Sequence, residues 1–287
     1  MRSSNPVFSR RGFSRDNGYA GFNAQQQAGG PAAGTNPYAT NPYAQQDTQL
    51  GAPPQAPAQT GAMTIDDVVS RTAITLGTVF ATAALAWFLL PVDPANLGKS
   101  YGIGIGAALV AFVFAMIQSF KRKASPALIL AYAAFEGVFL GVISSAVTTY
   151  VTAGAVPQAV LGTMSVFAGV LIAYKMRWIR VTRRFYGFVM AAAVGFVLLM
   201  AVNMLFAVFG GGDGLGFRSG GLGIMFGIIG IILGACFLAL DFKQVEDGIT
   251  YGAPREESWL AAFGLTVTLV WIYTEFLRLI AILQGDD

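Results

Sequence analysis

The chain has 287 residues, of which 55% are hydrophobic and 11% charged; a water-soluble globule carries nearer ~25% charge. One cysteine rules out an intrachain disulfide, and the absence of histidine rules out Ser-His and Cys-His nucleophile systems and the "HExxH" zinc site. The formal charge of +3 lies in short loops between apolar runs, so it reads as membrane topology and not as a nucleic-acid footprint.

Residues 1–62 are rich in Gly, Ala, Gln, Asn and Pro and contain the tandem repeat "NPYATNPYA" (36–44). With so few large aliphatics this segment buries too little apolar surface to offset its ordering entropy. It is expected to be a disordered polar cytoplasmic tail, a spacer separate from a membrane domain over 63–287. The segment "MTIDDVVSRT" (63–72) then reads as a helix start, with Thr64 as N-cap and Asp66 and Asp67 near the positive end of the dipole.

Seven apolar runs follow, over roughly 68–90, 101–120, 126–150, 157–174, 185–209, 220–241 and 258–283. Each has about the ~20 residues that a helix needs to cross a bilayer. They are too long for barrel strands and do not alternate apolar with polar, whereas helices satisfy the backbone internally. The expected fold is all-α, a polytopic seven-transmembrane bundle in contact with lipid. Ser125 and Pro126 form a cap and first-turn pair for the third span, and Pro157 opens the fourth. The first span is expected to act as an uncleaved signal-anchor.

Basic residues set the orientation. "KRK" (121–123) and "KMRWIRVTRR" (175–184) follow the second and fourth spans, while the intervening loops hold only Lys99 and Arg218. The positive-inside rule places these loops and the N-terminus in the cytoplasm and the C-terminal "QGDD" outside. The membrane is read as a bacterial-type plasma (inner) membrane.

In the sixth span Gly223, Gly227, Gly230 and Gly234 draw one stripe, and small residues at that spacing let helices approach closely. Seven residues further the stripe reaches Asp241, which is therefore expected to face the packed interior. Gly98, Gly102 and Gly106 begin a similar stripe at the second span. Cys236 reads as a small core residue.

Three carboxylates lie within or at the ends of apolar runs: Glu136, Asp241 and Glu275. Such a group at the bilayer centre costs about 2.5–3.5 kcal/mol on insertion scales, and usually lines an ion path or carries protons. Each also has a structural reading: Glu136 as a neutral acid bonded between helices, Asp241 as a helix-end residue paired with Lys243, Glu275 as the partner of Arg278 three residues on. A possible Ca²⁺ ligand is Asp241, with backbone and water oxygens completing the shell; no other cofactor is implied. "GGGD" (210–213) formally matches the GxGD of intramembrane aspartyl proteases, but it falls in an outer loop and precedes Asp241, the reverse of that family's order. The chain is read as having no enzymatic activity.

The runs, the sixth span's end "ALDFKQVEDGI", the seventh's "WIYTEFLRLIAIL" and "AFEGVFLG" make the chain resemble the Bax inhibitor-1/YccA family, in its actinobacterial-type branch. The resemblance implies a bundle with its last span wrapped by the others. It also implies a pH-sensitive calcium leak gated by two aspartates on the last two spans, or, as in YccA-type relatives, restraint of a membrane protease. The first aspartate position is Asp241. The second is Glu275 if "YTEF" is matched, and Thr268 if "LRLIAIL" is matched. Depth favours the latter, since Thr268 lies ~15 Å along the seventh span and Glu275 ~26 Å. Asp241 with Glu136 is the preferred polar pair. The functional expectation is an ion leak for calcium or protons; the alternative is a non-conducting regulator that binds a membrane protease or another partner.

Overall fold

The structure, a computed structural model, describes residues 61–121, 123–210, 215–217 and 219–285. Residues 1–60 of the expected tail, Arg122, Arg218, residues 211–213 of the "GGGD" match and the final two aspartates lie outside the described residues. Seven helices follow in order: α1 Ile65–Leu89, α2 Leu97–Phe120, α3 Pro126–Tyr150, α4 Ala155–Lys175, α5 Arg183–Gly210, α6 Gly220–Thr250 and α7 Ser258–Gly285. All seven are long and apolar enough to cross a membrane.

The helix starts follow local chemistry. Thr64 caps α1 through a reciprocal box: its hydroxyl accepts from the Asp67 backbone N–H at 3.2 Å, and the Asp67 carboxylate accepts from the Thr64 N–H at 3.3 Å. Pro126 opens α3 as expected, but Ser125 makes no side-chain cap bond. Helix α4 starts at Ala155, so Pro157 falls at its third position, still in the first turn where a missing N–H costs little.

The largest departure from the sequence boundaries is in α6, which continues nine residues past Asp241 to Thr250. Hydropathy marks where lipid contact ends, not where the helix ends. The extension is held by Lys243, which bonds Asp247 at 2.8 Å and approaches Glu246 at 3.6 Å. Asp241 is thus not a helix-end residue, and Lys243 faces the other two acids.

Helix α7 is the central element, packed against α1, α3, α4 and α6. Polar side chains join it to three of them. Thr266 bonds Thr75 of α1 at 2.8 Å, Tyr273 bonds Ser144 of α3 at 2.7 Å, and the Trp271 indole N–H donates to the Gly230 carbonyl of α6 at 3.1 Å. Such bonds take the place of a hydrophobic drive between helices in lipid. At the α7 entrance Arg255 bonds Asp67 at 2.7 Å, and residues 61–63 pair with 253–255 through Met63 N–H to Ala253 O (2.8 Å) and Arg255 N–H to Gly61 O (3.0 Å). Truncating residues 1–60 should therefore leave the melting temperature of the purified protein unchanged, whereas removing 1–64 deletes the cap and the pairing strand and should lower it.

One glycine pattern behaves differently from expectation, and a second was not singled out. On α2, Gly98, Gly102 and Gly106 face outward and have nothing within 4 Å of an added Cβ. The buried face of α2 carries Gly104, Ala107 and Ala111 instead, with Gly104 against Val142. A close helix approach is at Gly137 and Gly141 of α3. A Cβ on Gly137 would lie 2.4 Å from the Val79 carbonyl oxygen, and one on Gly141 would lie 2.4 Å from that of Ala83. This is a small-xxx-small contact between α3 and α1. The spacing was visible in "EGVFLG", but nothing local identified the partner.

Candidate functional site

From Gly227 to Gly234 the α6 glycine stripe faces α7. Added Cβ atoms would meet Leu279 at Gly227 (3.4 Å), the Glu275 carboxyl at Gly230 (2.9 Å) and Ile272 at Gly234 (2.5 Å). Continuing the same face, the Asp241 carboxylate reaches α7 one turn beyond Ile272. Its Oδ2 accepts a 2.7 Å hydrogen bond from the Thr268 hydroxyl, and its Oδ1 lies 3.3 Å from where a Cβ of Gly264 would stand. Thr268 is buried and Asp241 half-buried. Gly264 matters because its missing side chain leaves room for the carboxylate; it was not singled out in the sequence, although Gly264 and Thr268 are four residues apart on one helix face.

Glu275 lies about two turns further along α7 and does not meet Asp241. It is buried and pairs with Arg278, both in the C-terminal half of the helix, with Gly230 providing space for its carboxyl. Removing one member of such a buried pair costs about 3–5 kcal/mol, while replacing both with apolar groups can be near neutral. Arg278→Met alone should therefore lower the melting temperature more than the double change Glu275→Leu with Arg278→Met.

Glu136 is on α3, half-buried, and makes no hydrogen bond or ion pair with another described residue. It lies between Ala133 and Leu140, which pack with Val270 of α7, and one turn after Tyr132, whose ring meets Phe263 edge-on at 5.2 Å. No described hydrogen bond joins it to Asp241; Glu136 is on α3 and Asp241 on α6. The pairing of Asp241 with Glu136 is thus not a direct contact. Cys236 is half-buried beside the α5–α6 cluster around Leu233.

Among the described residues no three His, Cys, Asp or Glu side chains converge as a metal cluster. At the α6–α7 seam the arrangement offers one carboxylate, Asp241, whose described partner is a hydroxyl and not a cation or a second carboxylate.

A seven-helix bundle of membrane-spanning length around a central last helix, with a carboxylate held between the last two helices, defines a multi-pass membrane protein in contact with the lipid bilayer. The family model described as Bax inhibitor 1 like matches residues 5–285, and the chain belongs to that family. The match begins well before α1 and so takes in most of the N-terminal polar region. No curated protein matches the chain.

Proposed function

We propose that the protein is a cation leak, for calcium or protons, in a bacterial-type plasma (inner) membrane, with Asp241 as the gating carboxylate. The N-terminus is cytoplasmic and the C-terminus outside. The observation that carries this reading is the contact of Asp241 with Thr268 over Gly264, at the α6–α7 seam. Its single described hydrogen bond comes from a neutral hydroxyl, and no cation among the described residues pairs with the carboxylate. An ionised Asp241 draws water and a cation into the seam. A protonated Asp241 stays within the closed bundle.

Calcium commonly takes six or more oxygens. Asp241 and Thr268 supply few of these, so carbonyls and water complete the shell during passage, and weak multi-site binding favours release. The hydroxyl partner also shapes the gate. Thr268 can donate to an ionised carboxylate and accept from a protonated one, so the contact survives both states. Two facing carboxylates would instead share one proton and repel once both ionised. Thr268→Asp should therefore make the pH dependence of flux steeper than in the unmodified protein, measured over the same pH range.

The deciding experiment is calcium entry into liposomes that contain only the purified protein and an entrapped calcium dye. Flux above protein-free liposomes supports the leak. Its absence, with the protein folded and inserted, sinks this reading in favour of a non-conducting regulator of a membrane protease or another partner. Topology has its own test: a reporter fused after residue 180 should report cytoplasm, and one after residue 153 the outside. Both on one side would overturn the seven-span orientation.

A further inference from the structure

Helices α1 and α4 each pack on α7, and between them lies a cleft of about 350 Å³ that reaches the central helix. Its walls include Phe80 and Ala84 of α1 and Val160 and Met164 of α4, and its floor includes Val270 and Tyr273 of α7. Most of the few polar side chains at the cleft already have partners. Ser144 and Tyr273 bond each other at 2.7 Å, and the Thr163 hydroxyl donates to the Ala159 carbonyl at 2.8 Å. Among the lining side chains the Trp87 indole N–H alone has no described partner, so the cleft offers a polar ligand one donor in an otherwise apolar lining. Its volume is within the ~300–1,000 Å³ of small-molecule sites.

The mouth of the cleft decides what fills it. Phe80 is 59% exposed and Met164 56% exposed, on faces of α1 and α4 that belong to membrane-spanning helices. The cleft is thus continuous with the surface that meets bilayer hydrocarbon, and a flexible aliphatic chain is the occupant that matches it in polarity and access. We propose that this cleft seats one acyl chain of a bilayer lipid against α7. The seat meets α7 at Leu269 and Val270, next to Thr268 on the same helix. The chain therefore fills the one place among the described packing where α7 is reached from the lipid side between α1 and α4. The inference rests on membrane embedding alone and stands whether or not the protein conducts ions.

A phosphatidylcholine carrying a photoactivatable diazirine on its acyl chain tests it. The full chain is reconstituted in liposomes with this lipid, irradiated and mapped by peptide mass spectrometry. Adducts are expected on the α7 peptide at Leu269–Tyr273 as well as on outward residues of α2 such as Phe112, which is 61% exposed. Ala84→Trp fills the cleft and should reduce the α7 adducts about ten-fold while leaving those on α2 unchanged. Absence of α7 adducts in the unmodified protein overturns the proposal. So do α7 adducts that persist undiminished in Ala84→Trp while α2 labelling is normal. If Ala84→Trp fails to insert, Val160→Phe fills the opposite wall and is read in the same way.

Discussion

Asp241→Asn is expected to leave the protein folded and to abolish the pH dependence of its cation flux. The amide keeps the shape of the side chain and can still accept from the Thr268 hydroxyl, which lies 2.7 Å from the carboxylate, so the α6–α7 seam should hold. What is lost is the titratable charge. In the unmodified protein the ionised form draws in water and cation, so flux should be high at alkaline pH and fall as the pH drops and the carboxylate takes up a proton. The amide has no charge to lose, and the profile should be flat and low. A lost charge interaction of about 1.4 kcal/mol corresponds to about ten-fold, the minimum fall expected in calcium flux at the alkaline end. With no histidine in the chain, the usual imidazole switch cannot supply the response. Liposome flux over a pH series checks this, and an unchanged pH response in Asp241→Asn refutes the assignment. Glu136→Gln should change the amplitude of flux more than its pH profile, because Glu136 is on α3 and is not bonded to Asp241.

The second large effect is structural. Gly137→Ala puts a methyl 1.9 Å from the Thr82 hydroxyl oxygen and 2.4 Å from the Val79 carbonyl oxygen. The hydroxyl can rotate away, but the backbone oxygen cannot move without separating α1 from α3. Overpacking usually costs about 1–3 kcal/mol, and Gly137→Leu should exceed that range. In detergent the melting temperature should drop by roughly 5 °C or more for the alanine variant. Gly102→Ala is the control: it has nothing within 4 Å, and helix propensity alone should make it neutral or slightly stabilising. Equal effects of the two changes would show that the α1–α3 approach is looser than described. Thr82→Ala should not rescue Gly137→Ala, since the Val79 oxygen remains.

The sequence alone determined the class and the number of helices. In hydrocarbon every backbone group must be satisfied within its segment, so seven runs of spanning length leave no other all-protein solution. It also placed Asp241 on the inward face of α6, because glycines at steps of four, three and four define one helix face whatever packs on it. The rise per residue alone put Thr268, and not Glu275, at the depth of Asp241, and the i to i+3 spacing alone paired Glu275 with Arg278. These are properties of a single helix, so they survive without knowledge of the neighbours.

Only the tertiary structure decided which faces meet. Gly98, Gly102 and Gly106 have the same spacing as the α6 stripe yet face outward, because α2 presents Gly104, Ala107 and Ala111 to α3. Two small-residue faces on one helix are indistinguishable until a neighbour chooses one. The end of α6 was hidden for a similar reason: a polar, helix-competent segment such as "FKQVEDGIT" looks like a loop by hydropathy and continues as helix once Lys243 pairs with Asp247. Glu136 and Asp241 share a chemistry, but which helix each faces is not written in their spacing: Asp241 bonds Thr268 of α7, and Glu136 makes no hydrogen bond with another described residue. Distance between helices is set by packing, and packing is the part that one-dimensional spacing does not contain.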